Sequence, residues 1–167
     1  MINTENLALL LDSYKKAFPS IWNGEIYKWI AIKCYQDNWD LNAEDFSEMF
    51  RKATDKTLNL LASGYAYPRA MIIEMAKAAP EEVREMFRRL YDESLDLSLR
   101  VEEFQAKSEE IRQKYNDGTW KNHFQSTNSI STYLWLRYPD KYYVYKYGLY
   151  ADAARELDSD NKPKANG

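Results

Sequence analysis

The chain has 167 residues, enough for one domain with a real core and too few for two ordinary ones. Hydrophobic residues make up 45% and charged residues 29%, a globular composition that excludes a disordered chain, and the net charge of −3 excludes a global basic field. Aromatic residues reach 15%, with 14 Tyr and 5 Trp against 5 Gly, so rings are available both for a core and for a binding surface.

Helical periodicity runs through most of the sequence. Leu7, Leu10, Leu11, Tyr14 and Phe18 mark one face of a first helix, which Pro19 is expected to close. Trp22 to Gln36 is apolar on several faces and reads as a central, largely buried helix that includes Trp29. Asn42 followed by Asp45 resembles a capping box. It opens a helix whose face is Phe46, Met49, Phe50, Ala53, Thr57, Leu60 and Leu61. Gly64 and Pro68 bracket the loop Tyr65-Ala66-Tyr67, and a short helix with Met71, Ile72, Met75 and Ala76 follows. Pro80 suits a first helical turn, with Val83, Met86, Phe87, Leu90 and Tyr91 on the buried face. Leu97, Val101, Phe104, Ser108, Ile111 and Tyr115 then recur four and three apart, as in a long helix packed along a partner. Asn116-Asp117-Gly118 ends it. The acidic runs Glu81-Glu82, Glu102-Glu103 and Glu109-Glu110 read as solvated helix faces.

The C-terminal third has a different character. Asn128 is expected to cap a helix over 130–138 that Pro139 ends, and Tyr142 to Tyr147 is a six-residue run of high strand propensity. A last helix is expected over 149–157. The expectation is therefore a mainly α, single-domain helical bundle over 1–157 with a short β segment near 142–147. The polar residues 158–167 read as a tail or linker.

Several chemistries lack their residues. One His and one Cys, His123 and Cys34, cannot build a zinc site or a Cys–His nucleophile with its orienting partner. No phosphate-cradling glycine loop and no G-x-S-x-G occur. Pro139-Asp140 followed by Asp160-Asn161-Lys162 imitates the carboxylate-lysine spacing of metal-dependent nucleases, which needs both elements held rigidly beside a hard cation. That leaves a remote nuclease reading; the main expectation is a non-catalytic domain with no cofactor and no metal. The single Cys suits a reducing compartment, no apolar run approaches the roughly 18 residues of a membrane span, and the N-terminus lacks the regions of a signal peptide, so the expected location is the cytoplasm.

The sharpest feature is an aromatic-basic segment. Trp135, Arg137, Tyr138, Lys141, Tyr142, Tyr143, Tyr145, Lys146 and Tyr147 fall within thirteen residues. From Arg112 to Tyr147 six cations face two carboxylates, a local +4 that leaves −7 elsewhere. Rings stack on bases and cations neutralise phosphate, so Lys121, His123, Trp135, Arg137, Lys141, Tyr142, Tyr143, Tyr145 and Lys146 are the candidate DNA-binding residues. The competing reading is a Tyr-rich strand packed on helices, with His123 a loop residue that hydrogen-bonds locally.

The stretches Tyr27-Lys28-Trp29, Gln36-Asp37-Asn38-Trp39-Asp40, Pro68-Arg69-Ala70-Met71-Ile72-Ile73-Glu74 and, above all, Ile130-Ser131-Thr132-Tyr133-Leu134-Trp135-Leu136-Arg137-Tyr138-Pro139-Asp140-Lys141-Tyr142-Tyr143 carry a resemblance. Over roughly 18–160 the chain resembles the N-terminal region of McrB-like AAA+ GTPase or ATPase subunits of modification-dependent restriction systems. The resemblance implies a recognition domain, often for modified DNA, that works with a fused or associated AAA+ motor and a nuclease partner. The motor's Walker motif is absent from this sequence. The alternative is a protein–protein docking or oligomerisation module that uses the acidic helical two-thirds.

Overall fold

Helix starts along the chain are set by short polar side chains and prolines. In the computed structural model, which describes residues 1–62, 64–161 and 163, Asn3 caps α1 (Thr4–Glu25) by accepting from the backbone N–H groups of Glu5 and Asn6. α2 (Tyr27–Asn38) follows directly. Asp45 caps α3 (Phe46–Ala53), and a 3-10 turn occupies Leu58–Leu60. Pro68 and Pro80 each stand at the first turn of a helix, α4 (Pro68–Ala78) and α5 (Pro80–Leu90). Asp96 caps α6 (Leu97–Tyr115), Ser126 caps α7 (Thr127–Arg137), and α8 spans Tyr147–Glu156. Among the described residues the fold is all-α, with no strand.

The contacts divide into two compact units. One runs from Tyr27 to Val144 and holds the aromatic core. Within it α3 packs on α2 and α4, α5 on α4 and α6, and α7 on α2. Phe87 of α5 sits at the centre. Its ring lies 5.1–6.0 Å from those of Trp39, Phe46, Phe50, Tyr91, Phe104 and Tyr133. Buried polar groups are tied in: the Tyr35 and Tyr91 hydroxyls lie 2.6 Å apart, and the buried Arg84 donates to the carbonyls of Leu41 and Ala43 while covering the Phe46 ring.

The other unit comprises residues 1–26 and the described residues from 145 on. α1 buries none of its 22 residues, and α8 buries Ala154 alone. Polar contacts hold the ends together. Asn3 N donates to the Leu157 carbonyl at 2.7 Å, Asn6 Nδ2 to the Glu156 carbonyl at 2.8 Å, and Asn161 Nδ2 to the Tyr150 hydroxyl at 3.0 Å. Residues 158–161, expected as part of a polar tail, thus bond to neighbours in the unit. Lys162 and residues 164–167 of that tail lie outside the described residues.

Four expectations need correction. Pro19 does not close α1, which continues to Glu25. Proline's fixed φ is a helical one, so its cost there is the hydrogen bond to the Lys15 carbonyl and the clash of its ring, on a helix that buries none of its residues. The helix expected from Trp22 to Gln36 is divided at Ile26, and α2 buries Ala31 and Tyr35, leaving Trp29 and Ile30 exposed. The capping residues are Asp45 and Ser126, not Asn42 and Asn128. The β segment at 142–147 does not form: 142–146 is irregular and Tyr147 opens α8. A lone extended run gains nothing from strand propensity without a neighbour to take its N–H and C=O groups.

Candidate nucleic-acid surface

α7 carries Trp135 and Arg137 in its last turn, and the other candidate residues precede or follow it in the chain. Before its N-terminus lies the loop with Lys121 and His123. Lys121 is exposed, whereas His123 is half-buried and accepts from the Gln125 backbone N–H at Nδ1, 2.9 Å away. That bond places the proton of the neutral ring on Nε2, and burial pushes the imidazole's pKa down, so it carries no charge at neutral pH. Gln125 itself is buried. It donates to the carbonyls of Pro68 and His123 and accepts from the Tyr133 hydroxyl, which locks this loop to α4 and α7.

Beyond the C-terminus of α7 the chain turns sharply through Pro139 and Asp140. The backbone N–H groups of Lys141 and Tyr142 both donate to the Tyr138 carbonyl at 3.0 Å. The Gln36 amide satisfies the carbonyls of Leu136 and Arg137, and the Tyr138 hydroxyl donates to the Tyr91 carbonyl. These bonds tie the end of α7 to α2, and Tyr138 to the residue just past α5. Trp135 packs half-buried against the core, and the Arg137 guanidinium lies over the Tyr138 ring at 5.1 Å.

Tyr142 is not a free ring. Its hydroxyl accepts from Arg100 Nη2 at 2.8 Å and donates to Glu93 Oε1 at 2.9 Å, and Lys141 Nζ reaches the same carboxylate oxygen at 2.5 Å. Lys141, then Tyr142, hold the Glu93 carboxyl below its ordinary range. Tyr143, by contrast, is 78% exposed. Arg137 therefore ends α7, and Lys141, Tyr142 and Tyr143 follow the turn after it. Tyr145 and Lys146 belong to the other unit, where the Tyr145 ring meets Tyr150 at 5.8 Å and exposed Lys146 precedes α8.

Sequence reasoning missed Glu93 and Arg100, which reach Tyr142 from 49 and 42 residues away in the chain. It also left the loop Tyr65-Ala66-Tyr67 unassigned. There Tyr65 is 93% exposed, and Tyr67 meets Phe124 edge-on at 6.1 Å. Phe124 holds a left-handed φ of 57°, a strained conformation for a bulky residue, and the Asn122 side chain accepts from its N–H.

Among the described residues no cluster of three or more His, Cys, Asp or Glu side chains could hold a metal ion. Of the nuclease-like spacing, Asp140 and Asp160 lie in different units and Lys162 is outside the described residues. No described helix is long and apolar enough to cross a membrane. No family model, curated protein or solved structure matches the chain.

Proposed function

We propose that this chain is a non-catalytic recognition domain that binds DNA, modified DNA included, through the turn that follows α7. In line with the resemblance to McrB-like subunits, its partners would be an AAA+ motor and a nuclease. The observation that carries the reading is the exposed Tyr143 ring, two residues along the chain from Lys141 and six from Arg137, where Gln36 and Tyr138 tie the end of α7 and the residue after it to their neighbours. A stacking ring flanked by cations on a rigid support is the chemistry of a non-catalytic nucleic-acid surface.

Fluorescence anisotropy with plain, methylated and hydroxymethylated duplexes, each across a salt series, tests it. Arg137→Ala and Lys141→Ala should weaken binding to every duplex and lower the salt slope by about one unit each. Tyr143→Ala should cost about 1–3 kcal/mol with little change in slope. Parent-like binding by all three variants, each folded by circular dichroism, places any DNA surface elsewhere.

A second reading, a docking module, is favoured by one observation. α1 exposes Leu9, Leu10, Leu11, Tyr14 and Ile21 along a helix with no buried residue. Failure of the parent to bind any duplex, together with a concentration-dependent mass that Leu11→Glu abolishes, would put docking first.

A further inference from the structure

Glu93 stands on the irregular turn between α5 and α6, and its side chain is 34% exposed. Two donors converge on one of its oxygens, Lys141 Nζ at 2.5 Å and the Tyr142 hydroxyl at 2.9 Å. The phenol has no choice of direction. Because its oxygen accepts from Arg100 Nη2, its single proton is committed outward, towards the carboxylate.

Arg100 is the unusual member. The residue is 3% exposed, and its Nη1 donates to the Leu90 carbonyl at 2.8 Å. Its Nε is buried without a hydrogen-bond partner. Arg100 thus meets a carbonyl and a phenol; of the two carboxylates within its field, Asp92 is bonded to Ser94, and Glu93 is the one that meets Lys141 and Tyr142. The cluster holds more donors than Glu93 uses, with the Arg100 Nε–H left over.

We propose that Lys141 and Tyr142, backed by Arg100, form a phosphate-binding pair, and that Glu93 covers it when no phosphate is bound. A phosphate oxygen asks for the same donors as a carboxylate oxygen and brings further acceptors with it. The exchange costs little, because a half-exposed ion pair is weak and its acid stands on a turn and not within a helix. Neighbouring Asp92, which accepts from the backbone and hydroxyl of Ser94, keeps the turn in place while Glu93 swings out. The inference rests on the DNA-binding reading for the source of the phosphate, and on the geometry alone for the site.

The test uses the full chain and two probes. Inorganic phosphate is titrated against chloride at equal ionic strength, with the Tyr142 ring and Arg100 Nε–H resonances as reporters. Duplex DNA is titrated by anisotropy. The variants are the parent, E93Q, E93Q/K141A and E103Q. Gln keeps an acceptor oxygen for Lys141 and Tyr142, and E103Q makes the same charge change at the exposed Arg89–Glu103 pair. E93Q should bind phosphate roughly two- to fivefold more tightly than the parent, the equivalent of one surface ion pair. The gain should vanish in E93Q/K141A and be absent in E103Q. Unshifted resonances in both parent and E93Q, or an equal gain in E103Q, overturn the site. A phosphate gain with no duplex binding by any variant keeps the site and removes the DNA reading. Duplex binding without a phosphate response does the reverse.

Discussion

Phe87 and Trp29 carry large rings to opposite ends of the burial scale. Phe87 is wholly buried among six rings, while Trp29 leaves 47% of its surface exposed. Truncating a buried aromatic loses both transfer energy and packing around the cavity, so Phe87→Ala should cost about 3–5 kcal/mol. Trp29→Ala should cost less than half of that. Urea denaturation of the two variants decides it, and equal midpoints would contradict the burial described. Trp29 was misjudged from sequence for a definite reason. Apolar residues on α2 point several ways, and periodicity does not say which face the neighbours take; here α3 and α7 take the face of Ala31 and Tyr35. The recognition residues show the same limit. The rings and cations of 135–147 are plain in the sequence, but Glu93 and Arg100, which engage the Tyr142 hydroxyl, come from distant positions.

Helices α3 to α6 were the most legible elements, because caps, prolines and apolar spacing agree there. Phe46, Met49, Phe50, Ala53, Thr57, Leu60 and Leu61 are all buried, although the helix itself ends at Ala53 and Leu60 stands in a 3-10 turn between Thr57 and Leu61. The acidic run at Glu81-Glu82 was less legible. Glu82 does not face water alone: it bonds Lys107 at 3.0 Å, Lys114 at 2.8 Å and the Tyr115 hydroxyl at 2.6 Å, clamping α5 to α6. Hydrogen bonds from Lys114, Tyr115 and Lys107, in that order, lower its carboxyl from the ordinary 4.5 to about 2. A carboxyl depressed on folding adds stability that is complete above its unfolded pKa and is lost as pH falls through the folded one. The clamp should therefore weaken between about pH 4.5 and pH 2. Glu82→Gln should lower the denaturation midpoint at pH 7 and converge on the parent by pH 2. A difference that stays constant over that range would mean that Glu82 stabilises the pair of helices by packing and not by charge.

At the scale of the whole molecule, burial is uneven. The unit from Tyr27 to Val144 holds the ring cluster, whereas the unit of α1 and α8 buries Ala154 alone on its helices and is closed by polar contacts at its ends. The amphipathic pattern of α1 was visible in sequence, but a pattern states that a face is apolar and not that anything covers it. Buried apolar area is the main source of stability, so segments that bury little open at lower free energy than those at the core. Native-state hydrogen exchange should then separate the chain. Amides of α1 and α8 should exchange through an opening of lower free energy than those of α5 and α6. Asn6 supplies a handle, because its Nδ2 donates to the Glu156 carbonyl at 2.8 Å and to Asp158 Oδ2 at 3.3 Å. Asn6→Ala removes both bonds, so protection in α1 and α8 should fall further while amides around Phe87 keep theirs. If one free energy governs every slow amide, and Asn6→Ala lowers all of them together, the chain unfolds as a single cooperative body. The exposed stripe of α1 would then owe its stability to the Phe87 core and not to its own unit.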